Sequence, residues 1–425
     1  MISRIKPKSE FSRNVLTLMT GTIVAQAIPI AISPILTRIY SPEDFGVFAL
    51  FFAILSVFSV VVNGRYENAI MLPKKDEEAI NIFALGIIIN TTISLFLFIL
   101  VLLFNDSITN ILGNEAISIW LYFIPITLFF TGLFNILNSF NNRQKRYRDI
   151  ADATIIKSIV MAVIQLGIGF IKNGASGLIS GQIISQFFAN MRLLKNIVSN
   201  KLLVSSINIS QIVKMAIEYR NFPKFSLPSA LSNVLAGHLS NILISIFYSI
   251  TTLGFYSLVQ RILGIPSALI GKSIGQVYYE EGTKERHETG CAINVFNSTL
   301  KKMLLIGFPA FFLLFFIVED LFVIVFGEEW KLAGIYAQIV IPMFFMRFVV
   351  ATLSITYDMF GYLKTEFIWQ ITLLVGTVTI VLVSHFMDIR FINLLIFITV
   401  YTSVMQLISL YILKKIASGE FYYGK

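Results

Sequence analysis

Five basic residues lie within or beside long apolar runs of this sequence, namely Arg65, Lys157, Arg261, Lys272 and Arg347. A charged side chain in an apolar solvent costs about 2.5 kcal/mol or more, so such residues are expected to bind a ligand, line a hydrated path or pair with another charge. Arg261 and Lys272 are about three helical turns apart and so lie near one helix face. These residues are the first candidates for a binding site.

Each of these residues also has a structural explanation. Arg261 could bridge two helices, and the long stem of Lys272 could carry its ammonium group to the membrane surface. Arg65 has Glu67 as a near neighbour, so a local ion pair is as well supported as contact with a ligand. Arg347 could pair with an acid on another helix.

Three residues could take up and release a proton: Asp358, His238 and Asp152. Asp358 is the best-placed carboxylate, and the imidazole of His238 titrates near neutral pH. His238 could instead be a buried polar partner of a neighbouring asparagine. Asp152 could belong to the basic segment "NRQKRYRDIAD", whereas Lys157 lies deeper in the same apolar run.

Pro29 and Pro266 lie inside apolar runs, where a missing backbone donor can kink a helix. Kinks there would suit helices that bend, so both prolines are hinge candidates. A static kink is the alternative.

The single cysteine, Cys291, excludes an intramolecular disulfide, and the three histidines are too far apart in the sequence to suggest a metal site. The sequence therefore predicts neither a bound metal nor a cofactor.

The composition indicates which elements must position these residues. Hydrophobic residues make up 56% of the 425-residue chain and charged residues 13%, against about 25% charged residues in a soluble domain. Runs such as 80–104 exceed the roughly 20 apolar residues that a helix needs to cross a hydrocarbon core. The predicted fold is therefore an all-α membrane protein.

Cutting the sequence at its polar, charged and Pro/Gly-rich breaks predicts about twelve transmembrane helices. The first six predicted spans are 14–38, 45–64, 80–104, 116–140, 150–171 and 176–195. The second six are 225–249, 253–277, 300–325, 335–359, 366–386 and 391–413. The spans at 150 and 176 are shorter or more polar than the rest.

Basic residues are distributed very unevenly between the two sides of these spans. The loops of one side hold only Arg38, Lys172, Lys331 and Arg390 of the 33 Lys and Arg residues. By the positive-inside rule, both termini are predicted to be cytoplasmic. The net charge of +9 is then explained by a cytoplasmic face against anionic lipids, and nucleic acid is not an expected partner.

One short segment occurs twice, about two hundred residues apart. "IYSPEDFGVFAL" (39–50) and "FYSITTLGFYSL" (247–258) align without a gap, and each precedes the second span of its half. Ser41 is predicted to cap a helix, with Asp44 at the acidic position of a capping box. Because each half has six spans, the halves are predicted to be parallel repeats around a central cavity, as in alternating-access transporters.

The predicted organisation is an N-terminal lobe at 1–200, a cytoplasmic linker at 201–222 and a C-terminal lobe at 223–425. In the linker, Ile212, Met215, Ala216 and Tyr219 share one helical face. This pattern predicts an interfacial helix along the cytoplasmic surface, with a merely polar linker as the alternative.

Five segments resemble those of a known family. They are "LTRIYSPEDFGVFALF" (36–51), "YENAIMLPKKDEEA" (66–79), "FPKFSLPSALSN" (222–233), "QRILGIPSALIGKSIGQVYYEE" (260–281) and "FGEEWKLAGIYAQIVIP" (326–342). In this order, along nearly the whole chain, they are similar to Wzx-like polysaccharide biosynthesis proteins. These are lipid-linked oligosaccharide flippases of the multidrug/oligosaccharidyl-lipid/polysaccharide exporter superfamily.

The resemblance implies two six-helix lobes around a central cavity, in a bacterial inner membrane. It implies a substrate, an undecaprenyl-diphosphate-linked oligosaccharide that is turned over to the outer leaflet for O-antigen of lipopolysaccharide, capsule or exopolysaccharide. It also implies a polymerase and glycosyltransferases of the same pathway as partners, and coupling to a proton or sodium gradient. On this interpretation the five basic residues contact the sugar headgroup or the diphosphate.

Two other functions stay open. A multidrug exporter of the same superfamily should have a more apolar and acidic cavity than these basic residues suggest. A membrane-embedded polysaccharide polymerase is disfavoured because the outside loops are short and no DxD or other catalytic signature occurs. The chain is therefore not expected to be an enzyme.

Overall fold

The computed structural model describes residues 10–172 and 174–420, and only the backbone of residues 10–19, 201 and 272. The described residues form helices joined by short turns, without a strand among them. The predicted all-α membrane fold is confirmed.

The chain divides into two compact units, Met1–Val234 and Leu235–Lys425, and the division falls inside helix α8. The helices up to this point are α1 (Glu10–Ile39), α2 (Pro42–Val61), α3 (Asp76–Leu112), α4 (Ile124–Arg143), α5 (Tyr147–Gly169), α6 (Ser176–Val198), α7 (Ile209–Glu218) and α8 (Leu227–Phe247). The remaining helices are α9 (Ile250–Leu263), α10 (Lys272–Thr289), α11 (Ile293–Phe326), α12 (Lys331–Leu353), α13 (Leu363–Phe386) and α14 (Phe391–Ala417).

Short helical segments fill several of the connections. They are Tyr66–Met71, Glu115–Ile117, Ser118–Leu121, Lys201–Ser205, Glu328–Trp330 and Thr356–Phe360. Two π-helical segments, Phe222–Ser226 and Ser267–Gly271, precede α8 and α10.

Ten helices of the described part are long and apolar enough to cross a membrane, counting Ile250–Thr289 as one. An eleventh arises if Glu115–Leu121 and Ile124–Arg143, which are bent by 52°, form one span. The predicted span 176–195 is helix α6, which is absent from this set. With α6 included, the long helices match the predicted number of about twelve.

Helix α6 can be polar because its polar side chains are buried against protein inside the first unit. Gln182, Ser185, Gln186 and Asn190 are all buried. The amide of Asn190 donates to the carbonyl of Phe130 on α4 at 2.8 Å. Such hydrogen bonds between helices satisfy polar groups away from lipid, so a span of low hydropathy is accommodated here.

The repeated segment begins a helix in both units. Ser41 caps α2, its hydroxyl accepting the Asp44 amide at 3.2 Å, while the Asp44 carboxylate accepts the Ser41 amide at 3.0 Å. The predicted capping box is thus confirmed. Ser249 caps α9 in the same way, accepting the Thr252 amide at 3.0 Å.

The tyrosine before each cap also has an equivalent role. The hydroxyl of Tyr40 donates to the Gln165 carbonyl near the end of α5 at 2.6 Å. The hydroxyl of Tyr248 donates to the Ile389 carbonyl just after α13 at 3.1 Å. The similarity of the two halves therefore extends beyond the repeated segment to the fifth long helix of each.

Helix α7 packs against protein through the face that the sequence predicted to lie on the membrane surface. Ile212 and Met215 are buried in a core formed with α3 and Tyr66–Met71, and Ala216 and Tyr219 pack against it. A different stripe, formed by Ile209, Val213 and Ile217, is exposed. The predicted apolar face is therefore assigned to the core, and the interfacial position of α7 stays a prediction.

Candidate functional site

In the first unit, Lys157 is a cation near the middle of a membrane-spanning helix, α5. Its ammonium nitrogen lies 5.4 Å from the centroid of the Phe134 ring on α4. Lys157 belongs to none of the ion pairs formed by the described side chains. A cation over a ring gains about 0.5–2 kcal/mol, and no counter-charge neutralises it. Contact of Lys157 with an anionic ligand stays a prediction.

In the second unit, polar side chains from three helices form one cluster, which we call the α8–α9–α12 cluster: His238, Asn241, Tyr256, Gln260 and Arg347. The Asn241 amide donates to the Gln260 side-chain oxygen at 3.1 Å, and Tyr256 lies close enough to Gln260 for their side chains to interact. Arg347 lies within electrostatic range of both His238 and Tyr256. The cluster places one cation and four hydrogen-bonding groups within membrane-spanning segments.

The α8 side of this cluster has unused hydrogen-bonding capacity. The Asn241 side-chain oxygen and the Ser245 hydroxyl are buried without a hydrogen-bond partner among the described residues. Leaving such a group unsatisfied costs about 1–3 kcal/mol. Only Asn241, Ile244 and Ser245 are buried along α8. A polar ligand or water at this position would supply the missing bonds.

Arg347 is the exposed member of the cluster. Neither it nor Asp358 belongs to an ion pair of the described chain, so the cross-helix pairing considered for Arg347 is not observed. Arg261 lies half-buried in the last turn of α9, next to Gln260. Lys272 begins α10, but its side chain lies outside the described residues.

Arg65 forms the local ion pair with Glu67 that was the alternative to contact with a ligand. Its side chain lies 3.4 Å from the Glu67 carboxylate, and its backbone is left-handed, with φ of 64°. Both residues lie in the connection after α2, outside the membrane-spanning helices. Burial raises the pKa of the Glu67 carboxyl. The pair is a local ion pair, and contact of Arg65 with a ligand stays a prediction.

Asp152 is held in a network that ties α5 to α6. Arg192 of α6 contacts Asp152 at 3.2 Å and Asp149 at 2.5 Å, and Asn196 donates to Asp149 at 2.7 Å. Asp152 therefore has the structural role, as part of the charged segment, that was considered as the alternative to a coupling role.

Asp358 lies on the short helix Thr356–Phe360, beyond the end of α12, and it is exposed. The sequence placed it inside the tenth span, and the candidate membrane span Glu328–Phe360 includes it. His238 is the coupling candidate that lies next to other candidate residues, since it is within range of Arg347. The coupling role of all three titratable residues stays a prediction.

The two hinge candidates differ in their surroundings. Helix α1 continues through Pro29, whose carbonyl accepts the Ser33 hydroxyl at 2.6 Å. Pro266 directly precedes the π-helical segment that separates α9 from α10. Breaks of this kind commonly occur at proline and at π-helical turns. Pro266 thus marks a change of helix geometry, while bending at either proline stays a prediction.

The sequence analysis did not single out Tyr256 and Gln260, two uncharged members of the cluster. Both have a sequence signal, because Tyr256 lies in the repeated segment and Gln260 opens one of the segments that resemble the family. Within the described part of the chain, no group of three or more His, Cys, Asp or Glu side chains is arranged to hold a metal ion.

Comparison with known proteins gives a family and a fold. Residues 35–335 match a family described as "Polysaccharide biosynthesis protein". A stretch of 116 residues is 29% identical to the teichuronic acid biosynthesis protein TuaB of Bacillus subtilis (strain 168). That stretch covers 27% of this chain and 24% of TuaB, so the match spans about a quarter of the relative.

Three solved structures are similar over almost the whole chain. An inward-facing multidrug resistance MATE family transporter of the MOP superfamily has a TM-score of 0.70 at 14% identity, covering 92% of this chain and 93% of its own. The lipid II flippase MurJ, in an inward closed conformation, has a TM-score of 0.69 at 14% identity, covering 93% and 86%. A MOP superfamily transporter from Pyrococcus furiosus has a TM-score of 0.59 at 14% identity, covering 95% of each chain. At such identities the likeness shows a shared fold.

Proposed function

Because this chain belongs to the polysaccharide biosynthesis protein family, we propose that it is a flippase for a lipid-linked oligosaccharide. The substrate is an oligosaccharide on undecaprenyl diphosphate, and the protein turns it from the cytoplasmic to the outer leaflet by alternating access. The product feeds a polymerase or ligase of surface polysaccharide, with glycosyltransferases of the same pathway supplying the substrate.

The charge of the membrane-embedded side chains supports an anionic substrate. Lys157 in the first unit and Arg347 in the second are cations in membrane-spanning helices, outside every ion pair of the described chain. An uncompensated ion at this depth is costly unless a ligand or water stabilises it. A diphosphate supplies that charge, and a sugar supplies partners for amide and hydroxyl groups such as those of Asn241 and Ser245.

A multidrug exporter is the second candidate, because a MATE transporter and a lipid flippase share this fold almost equally well. The positive charge of the two unpaired side chains argues against cationic drugs as substrates, since like charges repel in a medium of low dielectric constant. A polysaccharide polymerase is a weaker candidate, because the similar structures are described as transporters and a flippase.

The proposed location is the bacterial inner membrane, with both termini in the cytoplasm and the basic connections against anionic lipid. A proton or sodium gradient is the proposed energy source, with His238 as the titratable residue of the α8–α9–α12 cluster.

Reconstituted vesicles test the proposal directly. The purified chain is placed in liposomes with a fluorescent lipid-linked oligosaccharide, and the accessible fraction is measured with a membrane-impermeant quencher. We expect Lys157→Gln and Arg347→Gln each to slow translocation about tenfold, which corresponds to about 1.4 kcal/mol of lost stabilisation. Lys157→Arg keeps the charge and should retain most of the rate.

Lys172→Gln is the matched control, because Lys172 is exposed in the connection between α5 and α6. It should translocate at the wild-type rate. Export of a cationic dye with no translocation of the oligosaccharide lipid would instead identify the chain as a drug exporter. Normal surface polysaccharide after gene deletion, in a strain without a second flippase, would contradict the proposal in the cell.

A further inference from the structure

The connection between α2 and α3 holds an incomplete ion pair between a buried carboxylate, Glu67, and a half-buried guanidinium, Arg65. Their closest atoms, Arg65 Nη1 and Glu67 Oε1, are 3.4 Å apart, whereas a charge-assisted hydrogen bond is about 2.7–2.9 Å long. Arg65 Nε and Glu67 Oε2 are both buried without a hydrogen-bond partner among the described residues. The pair therefore balances two charges but leaves hydrogen-bonding capacity unused on each side chain.

The backbone holds Arg65 in a fixed position. Its φ of 64° is left-handed, a conformation that costs a residue with a side chain about 1–2 kcal/mol, so neighbouring contacts must maintain it. On one side, the Asn63 amide donates to a carbonyl of α4 at 3.0 Å. On the other side, the Tyr66 hydroxyl donates to a carbonyl of α7 at 2.9 Å. A ligand of Arg65 would therefore meet a preorganised residue, which lowers the entropy cost of binding.

The charge of Glu67 depends on Arg65. The segment Tyr66–Met71 packs against α3, α4 and the π-helical segment before α8. The charged residues that these elements bring to this side are Asp76, Glu77, Glu78, Arg143 and Lys224. Arg143 is already engaged, since it donates to Asp76 at 2.9 Å and to a backbone carbonyl at 3.1 Å. Burial raises the pKa of the Glu67 carboxyl, and a backbone hydrogen bond and the charge of Arg65 oppose this effect. If another anion binds Arg65, Glu67 loses one of these two interactions and takes up a proton more readily.

A phosphate suits the guanidinium better than the Glu67 carboxylate does. Glu67 follows Arg65 by two residues and meets it through one long contact, whereas a phosphate can accept two parallel hydrogen bonds from the guanidinium. The Arg65 side chain is 27% exposed and that of Glu67 only 10%. An anion from outside the protein can therefore reach Arg65, and in the proposed orientation it arrives from the cytoplasmic side.

We propose that Arg65 binds a phosphate-type anion, and that Glu67 occupies the place of this anion in the unliganded protein. The arriving phosphate displaces the carboxylate from Arg65, and Glu67 takes up one proton from cytoplasmic water. Anion binding at this site is therefore linked to proton uptake. The inference rests on the proposed function for the source of the anion, the diphosphate of the lipid-linked substrate. The phosphate of an anionic lipid has the same chemistry, and the experiment separates the two sources.

Binding of a soluble diphosphate diester tests the site without any transport. The purified protein, in nanodiscs of neutral phosphatidylcholine, is titrated with dimethyl diphosphate, a diester whose own charge is constant near neutral pH. Calorimetry in two buffers of different ionisation enthalpy gives the affinity and the number of protons taken up. We expect tighter binding at lower pH and proton uptake on binding. Arg65→Gln should weaken binding about tenfold, as expected for loss of hydrogen bonds to a charged group.

Glu67→Gln should act in the opposite direction. Without the competing carboxylate, binding should be as tight above neutral pH as it is below, and no proton should be taken up. Because the Arg65 and Glu67 variants change the affinity in opposite senses, misfolding cannot produce both results. Arg65→Lys keeps the charge but not the planar guanidinium, so its affinity should lie between those of the wild type and Arg65→Gln.

Lys74→Gln is the matched control, because Lys74 is an exposed basic residue of the same connection, and it should bind like the wild type. Unchanged affinity in Arg65→Gln, or binding without proton uptake in the wild type, would overturn the inference. Weaker binding in phosphatidylglycerol nanodiscs, in the wild type but not in Arg65→Gln, would support the site and identify the lipid phosphate as its ligand. Proton-linked binding in a protein that fails to translocate the oligosaccharide lipid would support the site and reject the proposed function. Translocation without this binding would do the opposite.

Discussion

Replacing Gly177 with alanine tests how closely α6 packs against the repeated segment. A side-chain carbon at position 177 would lie 1.9 Å from the Tyr40 hydroxyl oxygen, 3.1 Å from the adjoining ring carbon and 3.2 Å from the Gln165 carbonyl oxygen. The tyrosine is buried and its hydroxyl donates to that same carbonyl. The added methyl group therefore displaces the hydroxyl and breaks the hydrogen bond.

The magnitude follows from these two effects. Overpacking a tight site costs about 1–3 kcal/mol, and a hydrogen bond between membrane helices contributes about 0.6 kcal/mol, at most about 1.7. Gly177→Ala should thus lower the free energy of unfolding by about 2–5 kcal/mol. Tyr40→Phe alone should lower it by about 0.6–1.7 kcal/mol. In the double variant Tyr40→Phe/Gly177→Ala the clash with the hydroxyl is absent. Its loss of unfolding free energy should therefore be about 1–2 kcal/mol smaller than the sum of the two single losses.

The assay is unfolding of the purified protein in mixed micelles with increasing SDS, followed by tryptophan fluorescence. Gly167→Ala is the control, because Gly167 lies in α5 and a carbon added there has no neighbour within 4 Å. It should be neutral or stabilising by up to about 1 kcal/mol, since alanine is the better helix former. Strictly additive costs in the double variant, or a Gly167→Ala cost equal to that of Gly177→Ala, would refute the packing argument.

Three further predictions concern local interactions. Burial raises the pKa of Glu67, so the folded state keeps the Glu67 proton to higher pH than the unfolded state does. The free energy of unfolding should therefore fall as pH rises from the usual glutamate range through that raised pKa. In SDS titrations at several pH values, Glu67→Gln should flatten this slope. Ser41→Ala should lower the free energy of unfolding by about 1 kcal/mol in the same assay, because it removes a cap of α2. Ser249→Ala should lower it by a similar amount by removing the cap of α9. An unchanged free energy of unfolding in either variant would contradict the equivalence of the two halves. Arg192→Ala should lower the melting temperature measured by fluorescence-detected size exclusion, because it leaves Asp149 with one basic partner fewer. Arg192→Lys should recover only part of the loss, since a single ammonium group cannot replace the planar guanidinium.

Many residues of the candidate site could be identified from the sequence, but whether each charged residue forms an ion pair could not. Lys157 and Arg347 were identifiable because a charge inside an apolar run is conspicuous. Whether such a charge is paired depends on which helix lies opposite, and no local pattern encodes that. Arg65 thus pairs with Glu67, Asp152 is held by Arg192, and Lys157 faces an aromatic ring.

The sequence by itself determined the all-α membrane fold, because a chain with 56% hydrophobic and 13% charged residues has long runs that only a bilayer can solvate. It also determined the helix starts in the repeated segment, since a cap is a contact over three residues. The tertiary structure alone decided the face of α7 that packs into the core and the polar cluster that joins Asn241 to Gln260. The physical reason is distance along the chain: helix and cap formation are local, whereas burial and pairing depend on contacts between segments that the sequence keeps far apart.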